Sequence, residues 1–242
     1  MIAIEIKNLT KKYKDTLAVD SLSLTVNEGE LISLLGVNGA GKTTTIKMLS
    51  CLCAPTDGDA LLLGHSICTD TNEVKKLIAL SPQETALAAG LSARENLELI
   101  CGIYGFSREK QNEKIKSLSD LLGLGEILNK RAGKLSGGWQ RRLSIAMALI
   151  SEPKILFLDE PTLGLDVIAR SDLWDMIRSL KGKVTIILTT HYMEEAEALS
   201  DRIGIMKNGK LLICDTAENI KKTADTQSFE EAFVRIVKGV SK

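Results

Sequence analysis

Apolar and polar residues alternate from the start of the chain. Over residues 2–9 the period is two, the mark of a strand with one buried face, and Leu22, Leu24 and Val26 repeat it. Asn27-Glu28-Gly29-Glu30 turns the chain back. Leu31–Leu35 is a short apolar run broken only by Ser33, as in a strand buried on both sides. Residues 44–49 then read as a helix. Pro55 and Asp57-Gly58 interrupt the pattern, and residues 60–63 and 78–80 read as further strands. Beyond Ser81-Pro82-Gln83 the period becomes helical. Ser92-Ala93-Arg94-Glu95 spells a capping box with Leu97, Leu99 and Ile100 behind it. Ser107 caps a second helix carrying Ile115, Leu118, Leu121 and Leu122, which Gly123 and Gly125 stop; residues 139–150 form a third. Strand character returns at residues 155–158, 184–188 and 203–206, with a helix at 168–180. Asn208-Gly209 between apolar runs signals a hairpin, and Ser228-Phe229-Glu230-Glu231 caps a last short helix. The plan is an α/β core, residues 1–83 and 151–215, interrupted by a helical insertion at 84–150 and followed by a short helical tail at 216–242.

Composition narrows this only a little. The 242 residues are 44% hydrophobic and 26% charged, enough to bury a substantial core. Thirty-one basic residues balance thirty-one acidic ones, which argues against a bulk electrostatic binder of nucleic acid. No apolar run approaches the roughly 18 residues that span a bilayer. The opening residues read as a strand and not as a signal peptide, so the expected location is cytoplasmic, with any membrane role peripheral. Five scattered cysteines, Cys51, Cys53, Cys68, Cys101 and Cys214, fit reduced thiols; Cys51-x-Cys53 lacks the second pair a metal site needs.

The chemistry begins after the buried strand. Gly36-Val37-Asn38-Gly39-Ala40-Gly41-Lys42-Thr43-Thr44 fits G-x-x-x-x-G-K-[ST], the phosphate-binding loop. Backbone N–H groups can wrap a phosphate chain only where Cβ atoms do not intrude, and Gly36, Gly39 and Gly41 remove them and permit positive φ. The following helix points its free N–H groups and positive dipole end at the anion. Lys42 supplies a point charge, and the Thr43 hydroxyl can ligate Mg²⁺. A second phosphate motif closes a strand at Asp159-Glu160. Ligands of open α/β sheets sit at the carboxyl ends of parallel strands, so Asp159 is a candidate Mg²⁺ ligand and Glu160 a candidate general base.

Leu135-Ser136-Gly137-Gly138-Trp139-Gln140-Arg141-Arg142 lies shortly before that acidic strand. With the phosphate loop, it makes the chain resemble the ATP-binding cassette family, whose signature loop begins LSGG. Physically it is a second anion-binding helix N-terminus: Ser136 offers a hydroxyl, and Gly137 and Gly138 expose N–H groups. The resemblance implies a P-loop NTPase core with a mostly parallel sheet, an N-terminal antiparallel β subdomain and an inserted helical subdomain. It also implies that the signature loop faces the phosphate loop of a second ATP-binding subunit, an identical copy or a paralogue, in a head-to-tail dimer. ATP and Mg²⁺ are the implied cofactors.

Further roles come from the resemblance position by position. ATP would be bound by Tyr13, stacking on adenine, and by Gly36, Asn38, Gly39, Ala40, Gly41, Lys42, Thr43 and Thr44. Mg²⁺ would be held by Thr43, Gln83 and Asp159. Glu160, His191, Gln83 and Lys42 would carry hydrolysis, and Asp166 would sit in the loop crossing the dimer interface. Residues 84–91, with Ala86, Leu87, Ala88, Ala89 and Leu91, would line the groove that receives a membrane permease, or else face the core. The fifth signature position is commonly Gln in the family; here it is Trp139, which bears on helix packing more than on ATP contact. Residues 190–197 and the short tail look most like the drug- and peptide-exporter group with a separate permease chain. The implied function is ATP hydrolysis driving transport, export above import, from the inner face of the membrane. The alternative is a soluble cassette ATPase working without a permease; no nucleic-acid partner is expected.

Overall fold

The computed structural model describes residues 1–239; the last three residues of the predicted tail lie outside the described residues. Two sheets carry the chain. In the first, β1 (Ile2–Tyr13), β2 (Thr16–Asn27), β4 (Asp57–Leu62) and β5 (His65–Ser66) pair antiparallel in the order β2-β1-β4-β5. In the second, β3 (Leu31–Leu35), β6 (Ile78–Ser81), β7 (Ile155–Asp159), β8 (Thr185–Thr190) and β9 (Arg202–Lys207) run parallel. There β10 (Lys210–Asp215) adds an antiparallel edge, giving the order β10-β9-β3-β8-β7-β6.

The predicted strands are therefore present, with one correction. Asp57-Gly58 does not break structure; it opens β4. Thr10 pairs with Asp57 across a register shift, and Gly58 has φ +74 where an added Cβ would lie 2.3 Å from the Asn8 carbonyl oxygen. The extra residue of this bulge lies in β1, where Asn8 has φ 50, and Gly58 stands opposite it, leaving room for the Asn8 carbonyl; sequence alone renders the glycine as a turn.

The central strands β3, β7 and β8, buried at every position, owe their apolar runs to burial on both faces. Ile155, Phe157 and Ile187 face the core shared with the antiparallel sheet, while Leu156, Leu158, Ile186 and Leu188 face the core shared with the helices. Alternate residues thus serve two different cores. On the helical side stand α3 (Ala93–Ile103), α4 (Arg108–Leu122), α5 (Gly137–Leu149) and α6 (Val167–Leu180). The capping box at Ser92 is formed in both directions, and Ser107 accepts from the Lys110 amide. Between the sheets α1 (Lys42–Leu49) follows β3 directly. A third core beyond β9 is closed by α7 (Met193–Leu199), α8 (Ala217–Thr223) and α9 (Phe229–Lys238).

Helix α2 (Thr71–Leu77) and α7, each seven residues, were not foreseen; segments this short carry too few turns to show a period. Among the described residues no helix is long and apolar enough to cross a membrane.

Candidate functional site

The carboxyl ends of β3, β7 and β8 meet at one cleft of about 790 Å³. It is lined by Asn38, Gly39, Ala40, Gly41, Lys42, Thr43 and Thr44, by Gln83, Glu160 and His191, and by Thr16, Leu17, Ala18, Leu163 and Asn208. Residues 38–44 thus meet three residues that are distant in sequence.

The loop is held tightly. Gly41 has φ +101, and a Cβ there would lie 2.5 Å from the Ala18 carbonyl oxygen. Gly36 does not take the expected positive φ; glycine is required there because a Cβ would stand 2.5 Å from the Met206 carbonyl oxygen. Helix α1 starts at Lys42, two residues earlier than predicted, and its N-cap Gly41 has no side chain to spend on the first amides. Those N–H groups remain for an anion.

Lys42 is 5% exposed. Its ammonium donates to the carbonyls of Gly36 (2.7 Å) and Val37 (3.3 Å) and lies 3.3 Å from Glu160 Oε1. The other carboxylate oxygen, Oε2, lies 2.6 Å from His191 Nδ1. One carboxylate therefore joins Lys42 and His191. Glu160 has φ 48, a left-handed backbone uncommon in a residue with a side chain and frequent at functional sites. Its amide is fixed by the Thr189 carbonyl and hydroxyl, both at 3.1 Å. Beside it, Asp159 Oδ1 accepts from Thr43 Oγ1 (3.0 Å) and Thr189 Oγ1 (2.6 Å). Thr43 and Asp159 offer adjacent hard oxygens. They suit a small cation that takes one carboxylate and leaves other positions to water and phosphate. A protein-only cage is absent: among the described residues no three of the His, Cys, Asp and Glu side chains gather as metal ligands.

Among the expected site residues, Tyr13, Ser136, Gly138 and Asp166 do not line this cleft. Tyr13, at the end of β1 and 45% exposed, is not among the lining residues; its hydroxyl lies 3.7 Å from Cys53 Sγ, and Lys11 stands 5.0 Å from its ring centre. Ser136, Gly138 and Asp166 line a different cavity of about 290 Å³ with Trp139, Arg142, Ile168, Ala169 and Asp172. Ser136 is the N-cap of α5 and its side chain makes no capping bond, whereas Asp166 caps α6 by accepting from the Ala169 amide (2.9 Å). Trp139 in place of the family's Gln is half-buried against the helical core, with the Arg142 guanidinium stacked 4.7 Å from its ring centre.

The segment 84–91 is divided. Leu87 packs on the core, the Ala88 amide and carbonyl are held by Asn96, and Glu84, Ala86 and Ala89 are exposed.

Comparison with known proteins decides the family. The ABC transporter family profile matches residues 19–163, more than half of the chain. The chain belongs to the ABC transporter family. It is 43% identical over 223 residues to the human phospholipid-transporting ATPase ABCA3, covering 90% of this chain and 13% of that one. Identity is 40% over 240 residues to the probable multidrug ABC transporter ATP-binding protein YbhF of Escherichia coli (strain K12), covering 97% and 41%. The chain thus spans less than half the length of these two relatives. An ATP-binding subunit of an ABC transporter superposes at TM-score 0.84 and 28% identity, covering 97% of this chain and 99% of that one. A dimeric, post-hydrolysis cassette bound to ADP and Pi, MJ0796, gives 0.77 and 28%, covering 88% and 98%. The cassette is an ATP-binding, ATP-hydrolysing one, and its fold is that expected from the motifs.

Sequence reasoning missed several members of this site. Thr189, which holds both Asp159 and the Glu160 backbone, is the next-to-last residue of β8 and pairs with Asp159 of β7, a contact that only the strand order reveals. Leu17, Ala18 and Asn208 come from the antiparallel sheet and the β9–β10 turn, a juxtaposition that no local motif announces.

Proposed function

We propose that this cassette drives transport, in the export direction, through a separate membrane permease, working as a head-to-tail pair with a second ATP-binding subunit on the inner face of the membrane. One observation carries the two-subunit part. Within a single chain the phosphate loop and the loop of Ser136 open into separate cavities, so each cleft lacks an anion-binding helix N-terminus that a second chain can bring. The dimeric relative supports the same assembly. Export is favoured by the likeness to a protein described as a probable multidrug transporter component.

The chemistry is electrostatic, as phosphoryl transfer requires. Lys42 and the amides of residues 39–44 take the β- and γ-phosphates of ATP. Thr43 and Asp159, with Gln83 lining the same cleft, would hold Mg²⁺, which when bound would supply positive charge against the phosphate oxygens. The arriving phosphates draw Lys42 from Glu160, which frees that carboxylate to accept a proton from the attacking water. His191, on Glu160 Oε2, stays beside the γ-phosphate. Ser136, Gly137 and Gly138 of the opposing chain close over the nucleotide, and Asp166 meets the partner at the interface.

The test is oligomeric state by light scattering with MgATP in Glu160→Gln. That variant binds ATP, hydrolyses it at most slowly, and is expected to shift from monomer to dimer. A chain that binds ATP at saturation and stays monomeric, with or without detergent-solubilised permease, overturns the paired assembly.

A further inference from the structure

Arg141 lies on α5, five residues beyond Ser136, and is 5% exposed. A charge this deep is costly unless its hydrogen bonds are supplied. Here main-chain oxygens supply them. Nη1 donates to the Pro82 carbonyl and Nη2 to the Gln83 carbonyl, each at 2.5 Å, and Nη2 also lies 3.5 Å from the Glu160 carbonyl. The planar fork thus grips two consecutive carbonyls, a geometry that a single ammonium cannot copy.

These partners belong to three separate pieces of the site. Pro82 and Gln83 begin the loop that leaves β6, and the Gln83 side chain lines the phosphate cleft. Glu160 ends the acidic strand. Its amide is pinned from one side by Thr189, and its carbonyl meets Arg141 from the other. The φ of 48 at Glu160 needs such surroundings to persist. Arg141 itself is carried by the helix whose N-terminus is the exposed Ser136 loop. Helix α5 is a rod over this span, roughly 1.5 Å per residue, so Ser136 and Arg141 are about two turns of backbone hydrogen bonding or less apart.

We propose that Arg141 is a positioning residue that links the signature loop to Glu160 and Gln83 of the same chain, so that nucleotide held by that loop in one site sets the catalytic geometry of the other. The inference rests on the paired assembly above. In that assembly the signature loop serves one ATP and the phosphate cleft of the same chain serves the second. A shift of α5 on closure moves the guanidinium, and with it the Gln83 loop and the long contact to Glu160. The consequence is that the two hydrolysis sites turn over in step.

The experiment measures ATPase rate against MgATP concentration for the full chain and for Arg141→Gln and Arg141→Lys, with binding followed by a fluorescent trinitrophenyl-ATP. The wild-type curve comes first: a Hill coefficient of one in the wild type fails the paired reading itself, before any variant is considered. With a cooperative wild type, Arg141→Gln is expected to keep its nucleotide Kd within about twofold, to lose roughly 10- to 100-fold in kcat, as small misplacements of a catalytic group do, and to show a Hill coefficient near one. Arg141→Lys keeps the charge but loses the fork and is expected to fall between the two. Wild-type kcat and cooperativity in Arg141→Gln overturn the proposal. If Arg141→Gln does not fold, Arg141→Lys decides: reduced kcat and Hill coefficient at unchanged Kd support the link, and wild-type values of both overturn it.

Discussion

The two anion-binding helix ends of this cassette are built oppositely. At α1 every charged group is already answered: Lys42 by two carbonyls and Glu160, Glu160 by His191, and Asp159 by two hydroxyls. At α5 little is answered. The Ser136 side chain caps nothing, Ser136 and Gly137 are exposed, and beyond Asp166 the side chains of Val167 and Ile168 are 77% and 75% exposed. The first end is closed on itself until phosphate competes for its lysine. The second is a surface that one chain leaves unfinished. On the proposed function, a cassette so divided keeps its candidate base, Glu160, paired with Lys42 and is completed by a partner.

The largest expected effects break the closed end. Glu160→Gln removes the candidate base and should cut hydrolysis at least 100-fold, within the range general bases contribute, in a phosphate-release assay, while nucleotide binding survives. Lys42→Ala should lose MgATP binding measured by calorimetry. It also strips a buried carboxylate of a partner, at a stability cost of about 3 kcal/mol on the scale for broken buried pairs, lessened by His191 and readable by urea denaturation. Smaller effects probe the neighbourhood of each end. Glu195 of α7 is fully buried and its Oε1 accepts from Trp174 Nε1 at 3.1 Å; burial pushes its carboxyl above the ordinary carboxylate range. The folded chain then binds a proton that the unfolded chain releases, so this group lowers stability as pH rises above the unfolded carboxylate's pKa of about 4.5. Glu195→Gln, which needs no proton, should flatten that decline between acidic and neutral pH in thermal melts. Least is expected from Asp166→Ala, which removes the α6 cap and should cost about 1 kcal/mol in the isolated chain. A loss of hydrolysis much larger than that stability change would place Asp166 at the interface.

Both ends were legible in the sequence because each is spelled by contiguous residues whose types the chemistry dictates: small residues where backbone must approach phosphate, then a helix. The strands between them were legible because alternate residues serve two cores. What local sequence could not show was the bonding among distant residues. The Lys42–Glu160–His191 chain joins positions 42, 160 and 191, and Arg141 reaches back to Pro82 and Gln83; such contacts are set by strand order and helix placement, not by spacing. Gly58 shows the converse, a residue whose type suggests a turn but whose place, opposite a bulge in β1, is fixed by that neighbouring strand.

The most direct test of the two-ended assembly is complementation between two inactive variants. Lys42→Ala disables the phosphate loop. Gly137→Asp places a carboxylate at the signature loop, where an added Cβ meets only Leu165 Cδ2 at 3.4 Å, so the chain can fold around it. Each variant alone should hydrolyse almost no ATP. In a mixed pair, one site joins an intact phosphate loop from one chain to an intact signature loop from the other, and ATPase activity should reappear on mixing, at the lowered rate of a site uncoupled from its disabled twin. If the mixture gives only the sum of the two variants, although both chains are folded and exchange partners, the signature loop does not act across the interface and the account is wrong.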